Sequence, residues 1–158
     1  MSQIMQRLNL PTYSFNIKSE NGRDLIFDNF RERWVSLTPE EWVRQNFAEY
    51  LVSECGYPRS LMLLEQTIVL NNLSRRCDVV VYNRLGEPVL LVECKSPSVM
   101  LNQKVFDQVA RYNLVLGVRF LIVTNGLGHF CIRFDTSPGQ YSFLKQVPQF
   151  SALTDQSL

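Results

Sequence analysis

The chain has 158 residues, the size of one domain, and its 46% hydrophobic content is enough to bury a core. Sixteen basic against fifteen acidic side chains leave a net charge of +1, which excludes a wholly basic nucleic-acid coat but not a local basic cleft. No apolar run approaches the roughly 18 residues that cross a membrane, and residues 1–11 hold no apolar signal region. Four scattered cysteines (Cys55, Cys77, Cys94 and Cys131) form no Cys-x-x-Cys pair. They read as reduced, buried side chains of a cytoplasmic protein.

In chain order, residues 1–10 read as a frayed arm. Weak alternation over 13–17 and 25–27 flanks Asn21-Gly22, a strong hairpin signal, and 34–37 offers a third short strand. Thr38-Pro39-Glu40-Glu41 starts a helix, with Thr38 at the N-cap and Pro39 at the first helical position. Val43, Phe47, Tyr50 and Leu51 continue it to Gly56 and Pro58. Residues 59–64 suggest a short helical turn. Strands follow over 65–70, 75–82 and 89–95. Ser96-Pro97-Ser98 breaks the sheet, and a helix over 101–116 carries Val105, Val109, Tyr112 and Leu116 down one side before Gly117. Strands over 119–124 and 129–134 flank Asn125-Gly126. From 137 the chain reads as irregular or as a short amphipathic tail. A helix between the strands at 95 and 119 lets them run parallel. The expected fold is one α/β sandwich with a mixed central sheet. Its parts are an arm and accessory hairpin at 1–37, a core at 38–136 and a tail at 137–158.

The chemistry concentrates at Asp78, Glu93 and Lys95. If the turn after Tyr82 centres between Leu85 and Gly86, Tyr82 faces Val89, Val80 faces Leu91 and Asp78 faces Glu93. Opposed residues lie about 4.5–5.5 Å apart at Cβ, so two such carboxylates can share a divalent cation. Lys95, two residues on, projects from the same face. Cys77 and Cys94 then point the other way, into the core. The competing reading is a strand-end salt bridge of Glu93 or Asp78 with Lys95, Arg75 or Arg76. Asp…Glu-x-Lys is the signature of the PD-(D/E)xK nuclease superfamily, which this segment resembles.

On that reading Asp78 bridges, Glu93 is the second metal ligand and the carbonyl of Cys94 a third. Mg²⁺ keeps several waters and needs only one or two carboxylates; Mn²⁺ can replace it. Lys95 positions the attacking water or stabilises developing charge. On the next helix Gln108 and Tyr112 share a face at i and i+4, with Lys104 one turn earlier. Spacing alone is equally met by a half-buried amphipathic helix. Arg75, Arg76, Lys104 and Arg111 offer a phosphate-binding rim. Glu65 opens a strand and either approaches the metal or pairs with Arg75 or Arg76. His129, with no partner histidine, reads as structural.

Residues 38–134 resemble the N-terminal nuclease domain of type I restriction enzyme R subunits. The matching stretches are Pro39-Glu40-Glu41 with Val43-Arg44-Gln45, Gly56-Tyr57-Pro58, Glu65, Arg76-Cys77-Asp78, Val92-Glu93-Cys94-Lys95-Ser96-Pro97, Gln108…Tyr112 and Thr124-Asn125-Gly126. The resemblance implies a Mg²⁺-dependent DNA endonuclease with the Gln-x-x-x-Tyr motif beside the carboxylates. It also implies an acid on the first helix, for which Glu41 is the first choice and Glu40 and Glu49 are alternatives. A capping role accounts for Glu41 equally well. No Gly-x-x-x-x-Gly-Lys-Ser/Thr loop is present. The expectation is therefore a nuclease domain without a helicase motor. Two readings compete with an enzyme active alone: a nuclease-fold module that binds DNA or protein without turnover, and a subunit that cuts only with a separate translocase or specificity partner.

Overall fold

The computed structural model describes residues 3–135 and 140–154. Strands β1 (Ile17–Glu20), β2 (Arg23–Asp28) and β3 (Arg33–Ser36) form a small antiparallel sheet. Asn21 (φ 53°) and Gly22 (φ 75°) both sit in the left-handed region, as the expected two-residue turn requires. Helix α1 (Pro39–Cys55) begins where Thr38 Oγ1 accepts the Glu41 N–H at 3.0 Å. It ends at Gly56 in the left-handed conformation (φ 72°).

Six strands build the main sheet. They are β4 (Met62–Leu70), β5 (Leu73–Tyr82), β6 (Pro88–Cys94), β7 (Phe120–Thr124), β8 (His129–Phe134) and β9 (Tyr141–Leu144), ordered as numbered. Helix α2 (Gln103–Leu116) carries the chain from β6 to β7, and these two strands pair in parallel as expected. Every other neighbouring pair is antiparallel. The helix starts later than its apolar period suggests, because the Asn102 side chain accepts the Val105 N–H at 3.1 Å and so becomes the cap.

The sheet is covered on both faces. Phe47 and Leu51 of α1 pack on Val79, Val81, Leu90, Val92 and Ile122. Val109 and Ala110 of α2 pack on Val80, Leu91, Leu121 and Ile132. Cys94 lies in the first layer and Cys77 in the second, so both are core cysteines.

Three expectations change. The strand β9 and the helix α3 (Phe150–Thr154) occupy what read as an irregular tail; α3 buries Phe150 and Leu153. The parts of that tail at 137–139 and 155–158 lie outside the described residues. The hairpin register holds for Val79–Val92, Val80–Leu91 and Val81–Leu90, but Tyr82 pairs with Pro88, not Val89. Gly86 is the cause: at φ 82° it closes a turn whose Asn83 side chain accepts the N–H groups of Leu85 and Glu87, leaving a bulge.

The third change concerns the arm, which is docked from its first described residues. Leu8 is buried, the Asn9 N–H donates to the Gly126 carbonyl at 2.8 Å and Trp42 Nε1–H donates to the Gln6 carbonyl at 2.9 Å. His129 belongs to this contact. Its Nε2–H donates to the Asn9 carbonyl at 2.9 Å, so Nδ1 accepts from the Thr124 hydroxyl at 2.7 Å. Burial lowers the His129 pKa and keeps this ring neutral. Among the described residues no helix is long and apolar enough to cross a membrane.

Gly126 is the floor of the arm's seat. A Cβ there would lie 2.7 Å from Leu8 Cδ2 and 3.2 Å from Val43 Cγ2, on a backbone at φ 86°. Gly126→Ala is expected to destabilise the protein by about 1–3 kcal/mol, read as a lower urea midpoint. Wild-type stability in that variant would show that the arm does not seat there.

Candidate active site

The site forms where regular pairing fails. Glu65 takes φ 54°, and the β4–β5 ladder passes from Leu64–Val79 to Gln66–Cys77 without a rung between. The β5–β6 ladder likewise ends at Val79–Val92, so Asp78 and Glu93 are not a rung of it. Side-chain alternation slips here too: Cys77 packs on the α2 side while Val79 packs on the α1 side. The gap is closed by a side chain. Asp78 Oδ2 accepts the Cys94 N–H at 2.7 Å, taking over a main-chain role.

The second Asp78 oxygen meets α1. Arg44 Nη2 donates to Asp78 Oδ1 at 2.8 Å and also lies 2.6 Å from Glu65 Oε1 and 3.3 Å from Glu40 Oε1. Arg44 Nη1 reaches Glu41 Oε1 at 2.5 Å. Arg44 is only 5% exposed, so its charge is held by these acids and not by water. Burial opposes that charge, yet Glu41 and Asp78 push the Arg44 pKa up. Sequence reading named Arg44 only within a matching stretch and gave it no role in the site. Its signal was its position three and four residues after Glu41 and Glu40, one turn along the same face.

Glu93 has its own partners. Arg75 Nη2 donates to Glu93 Oε2 at 3.0 Å, and Lys95 Nζ lies 3.3 Å from Glu93 Oε1. Burial and then the Asp78 charge raise the Glu93 carboxyl above its ordinary value, although Arg75 and Lys95 pull it down. Glu40 is raised in the same way, by burial and then by Asp78. The Cys94 thiol is pushed well up by burial, with Asp78 adding to it.

Glu41, the first choice on α1, is turned into a buried cluster. Arg31 Nη2 holds both its oxygens at 2.9 and 3.0 Å, and Gln45 Nε2 donates at 2.7 Å. Arg31 in turn grips Asp28, fixing the small sheet to α1. Glu41 therefore acts on Asp78 through Arg44, whereas half-exposed Glu40 feels Asp78, Glu93 and Lys95 directly. Glu49 pairs with Arg59, away from this cluster. Glu65 pairs with Arg76 and Arg44, one of the two roles read for it.

On α2, Gln108, Arg111 and Tyr112 line a shallow groove with Leu73 and Val115. Gln108 is exposed there and makes no hydrogen bond to Asp78 or Glu93. The link to the carboxylates runs through Tyr112: the Arg75 guanidinium lies 5.0 Å from its ring centre while binding Glu93. Lys104 and Arg111 are exposed on this helix, and Arg76 is exposed beside Glu65.

Among the described residues no three His, Cys, Asp or Glu side chains are gathered to hold a metal unaided. The donors around Asp78 and Glu93 are oxygens, and each carboxylate oxygen keeps a lone pair beyond its present partner. Glu93, whose carboxyl is raised by burial and then by the Asp78 charge, fits with Asp78 a hard cation completed by waters and a main-chain carbonyl. Mg²⁺ suits that set; a thiolate- or imidazole-seeking metal does not.

Residues 39–148 match the family described as type I restriction enzyme R protein N terminus (HSDR_N). The match spans most of the chain, and the chain belongs to that family. No curated protein matches it. Among solved structures, a fragment of a candidate HsdR subunit of a type I restriction enzyme from Vibrio vulnificus shares 21% identity at a TM-score of 0.50. That alignment covers 70% of this chain and 23% of the other, so this chain spans about a quarter of that length. A candidate nuclease of the DUF820 group from Anabaena variabilis shares 14% identity, with 85% and 87% of the two chains covered and a TM-score of 0.48. The fold, an α/β sandwich with a mixed six-stranded sheet flanked by helices and a small N-terminal sheet, is similar to that of the HsdR fragment.

The raised Glu93 pKa has a sign that can be read in solution. The folded protein takes up this proton at higher pH than the unfolded chain. Glu93 therefore costs stability above its folded pKa, and the cost fades as pH falls toward the unfolded value. Without metal, Glu93→Gln is expected to melt no lower than wild type near pH 7, with any advantage vanishing as the pH is lowered. A variant less stable near neutrality, with the gap closing in acid, would show that the Arg75 and Lys95 pairs outweigh burial.

Proposed function

We propose that this chain is a metal-dependent DNA endonuclease domain hydrolysing phosphodiesters at Asp78, Glu93 and Lys95. The observation that carries this reading is the break in the sheet at Asp78. Asp78 there accepts the Cys94 N–H, and next to Cys94 Glu93 pairs with Arg75 and Lys95. Family membership supports the same chemistry.

Asp78 and Glu93, with the Cys94 carbonyl, would hold Mg²⁺ or Mn²⁺, which when bound supplies Lewis-acid charge to the scissile phosphate. Asp78 is kept in place by the Cys94 N–H and Arg44. Lys95, tethered at its amide to the Thr124 carbonyl at 2.8 Å, is aimed at Glu93 and stabilises charge developing on the phosphate. Arg76, Lys104 and Arg111 give the DNA backbone an exposed cationic approach. Tyr112, held under Arg75, and Gln108 offer a ring edge and an amide to a nucleotide in the α2 groove.

Mn²⁺ is expected to raise the melting temperature of the wild type and not of Asp78→Ala. With Mg²⁺ and supercoiled plasmid, Lys95→Ala is expected to cut at least about 100-fold more slowly than wild type while keeping the Mn²⁺ shift. Equal cleavage by the two would overturn the catalytic role of Lys95. A Mn²⁺ shift and plasmid binding without cleavage in either would instead favour a binding module or a partner-dependent subunit.

The α2 groove gives a separate test. Gln108→Ala and Tyr112→Phe are expected to reduce cleavage or plasmid affinity while shifting stability by no more than about 0.5 kcal/mol, as surface changes do. Unchanged DNA handling in both would place the groove outside the DNA path.

A further inference from the structure

Arg44 Nη2 stands among three carboxylates drawn from three elements: Asp78 of β5, Glu65 of β4 and Glu40 of α1. The two shorter contacts are an ion pair with Glu65 Oε1 at 2.6 Å and a charge-assisted hydrogen bond to Asp78 Oδ1 at 2.8 Å. A divalent ion bridging Asp78 to the acid of α1 would have to fill this same place. Glu93 makes no ion pair with Arg44; its partners are Arg75 and Lys95.

We infer that the centre is built for a single divalent cation, on the Asp78–Glu93 side, because the Arg44 guanidinium permanently fills the position a second cation would take. The inference rests on the metal-dependent reading above and adds its stoichiometry. Charge agrees with it. From Asp28 to Lys95 the ion pairs gather six carboxylates and five cations. One divalent ion turns the residual negative charge positive, ready for a phosphodiester. Two would leave a strong excess of buried positive charge beside Arg44, which cannot shed its proton. Arg44 is also held at both terminal nitrogens, with Glu41 on Nη1 and Asp78, Glu65 and Glu40 around Nη2.

Arg44 is thus a positioning residue, and its test reads metal binding, not turnover. Calorimetric titration with Mn²⁺ alone is expected to give one ion per wild-type chain and two per Arg44→Gln chain. Glu40→Gln is expected to bind one ion with affinity within about threefold of wild type, because Glu40 is half exposed and its ion pair is with Arg44; outer-shell partners of a true metal ligand would cost about 10–100-fold. Two ions in the wild type would overturn the inference while leaving the nuclease reading intact. No ion in the wild type would overturn both. One ion in a folded Arg44→Gln, checked by circular dichroism, would show that Arg44 does not hold a metal's place. If Arg44→Gln does not fold, Glu40→Gln decides: a loss of affinity beyond about tenfold overturns the inference, and an unchanged single site supports it.

Discussion

A carboxylate stands where a rung of the sheet would run, and the site is organised around that substitution. Between β5 and β6 the Asp78 side chain accepts the Cys94 N–H that the neighbouring main chain no longer reaches. The strands can part there without orphaning a buried donor, which would cost about 1–3 kcal/mol. A side chain that replaces backbone pairing is also fixed more tightly than one that only decorates a strand, so the same hydrogen bond both ends the ladder and holds Asp78 in place.

Fixing a buried carboxylate demands compensation, and the chain supplies it from α1. Arg44 ties Asp78 to the first helix, and Glu41 and Arg31 tie Arg44 to the small N-terminal sheet. The accessory sheet thereby gains a physical role: it anchors the far end of a relay of charges that terminates at Asp78. Removing one partner of such a buried network leaves an uncompensated charge, at about 3–5 kcal/mol. The Glu93 half is looser. Its cations, Arg75 and Lys95, are partly open to solvent, and Arg75 rests on the exposed ring of Tyr112. One half of the centre is neutralised from inside, whereas the other reaches the α2 groove through Arg75 and Tyr112.

Much of this was legible in the chain. Local rules marked Asn21-Gly22, the Thr38 cap and Gly56, since each acts within a few residues. The register of Val79 to Val81 against Leu90 to Val92 followed from the turn and the apolar runs, and the α2 crossover implied the parallel β6–β7 pair. What escaped was set by distant partners. Leu8 and Asn9 read as part of a frayed arm because their contacts, Gly126 and His129, are more than a hundred residues away. Tyr141 to Leu144 is too short to announce a strand, though its aromatic residues at 141 and 143 alternate as one would. The choice among the acids of α1 turned on Arg31 and Arg44: spacing could place Glu41 in the first turn but could not show that its carboxylate is already taken.

The central claim, that Asp78 and Glu93 form a cation site at the break in the sheet, is tested most directly by paramagnetic broadening. Substoichiometric Mn²⁺ added to the ¹⁵N-labelled wild-type protein should first erase the amide signals of Asp78, Glu93, Cys94 and Lys95, and spare those around Glu49 and Asp107. Loss of the same signals should fail in Asp78→Ala. Broadening spread evenly over the exposed acids, or unchanged in that variant, would contradict the account.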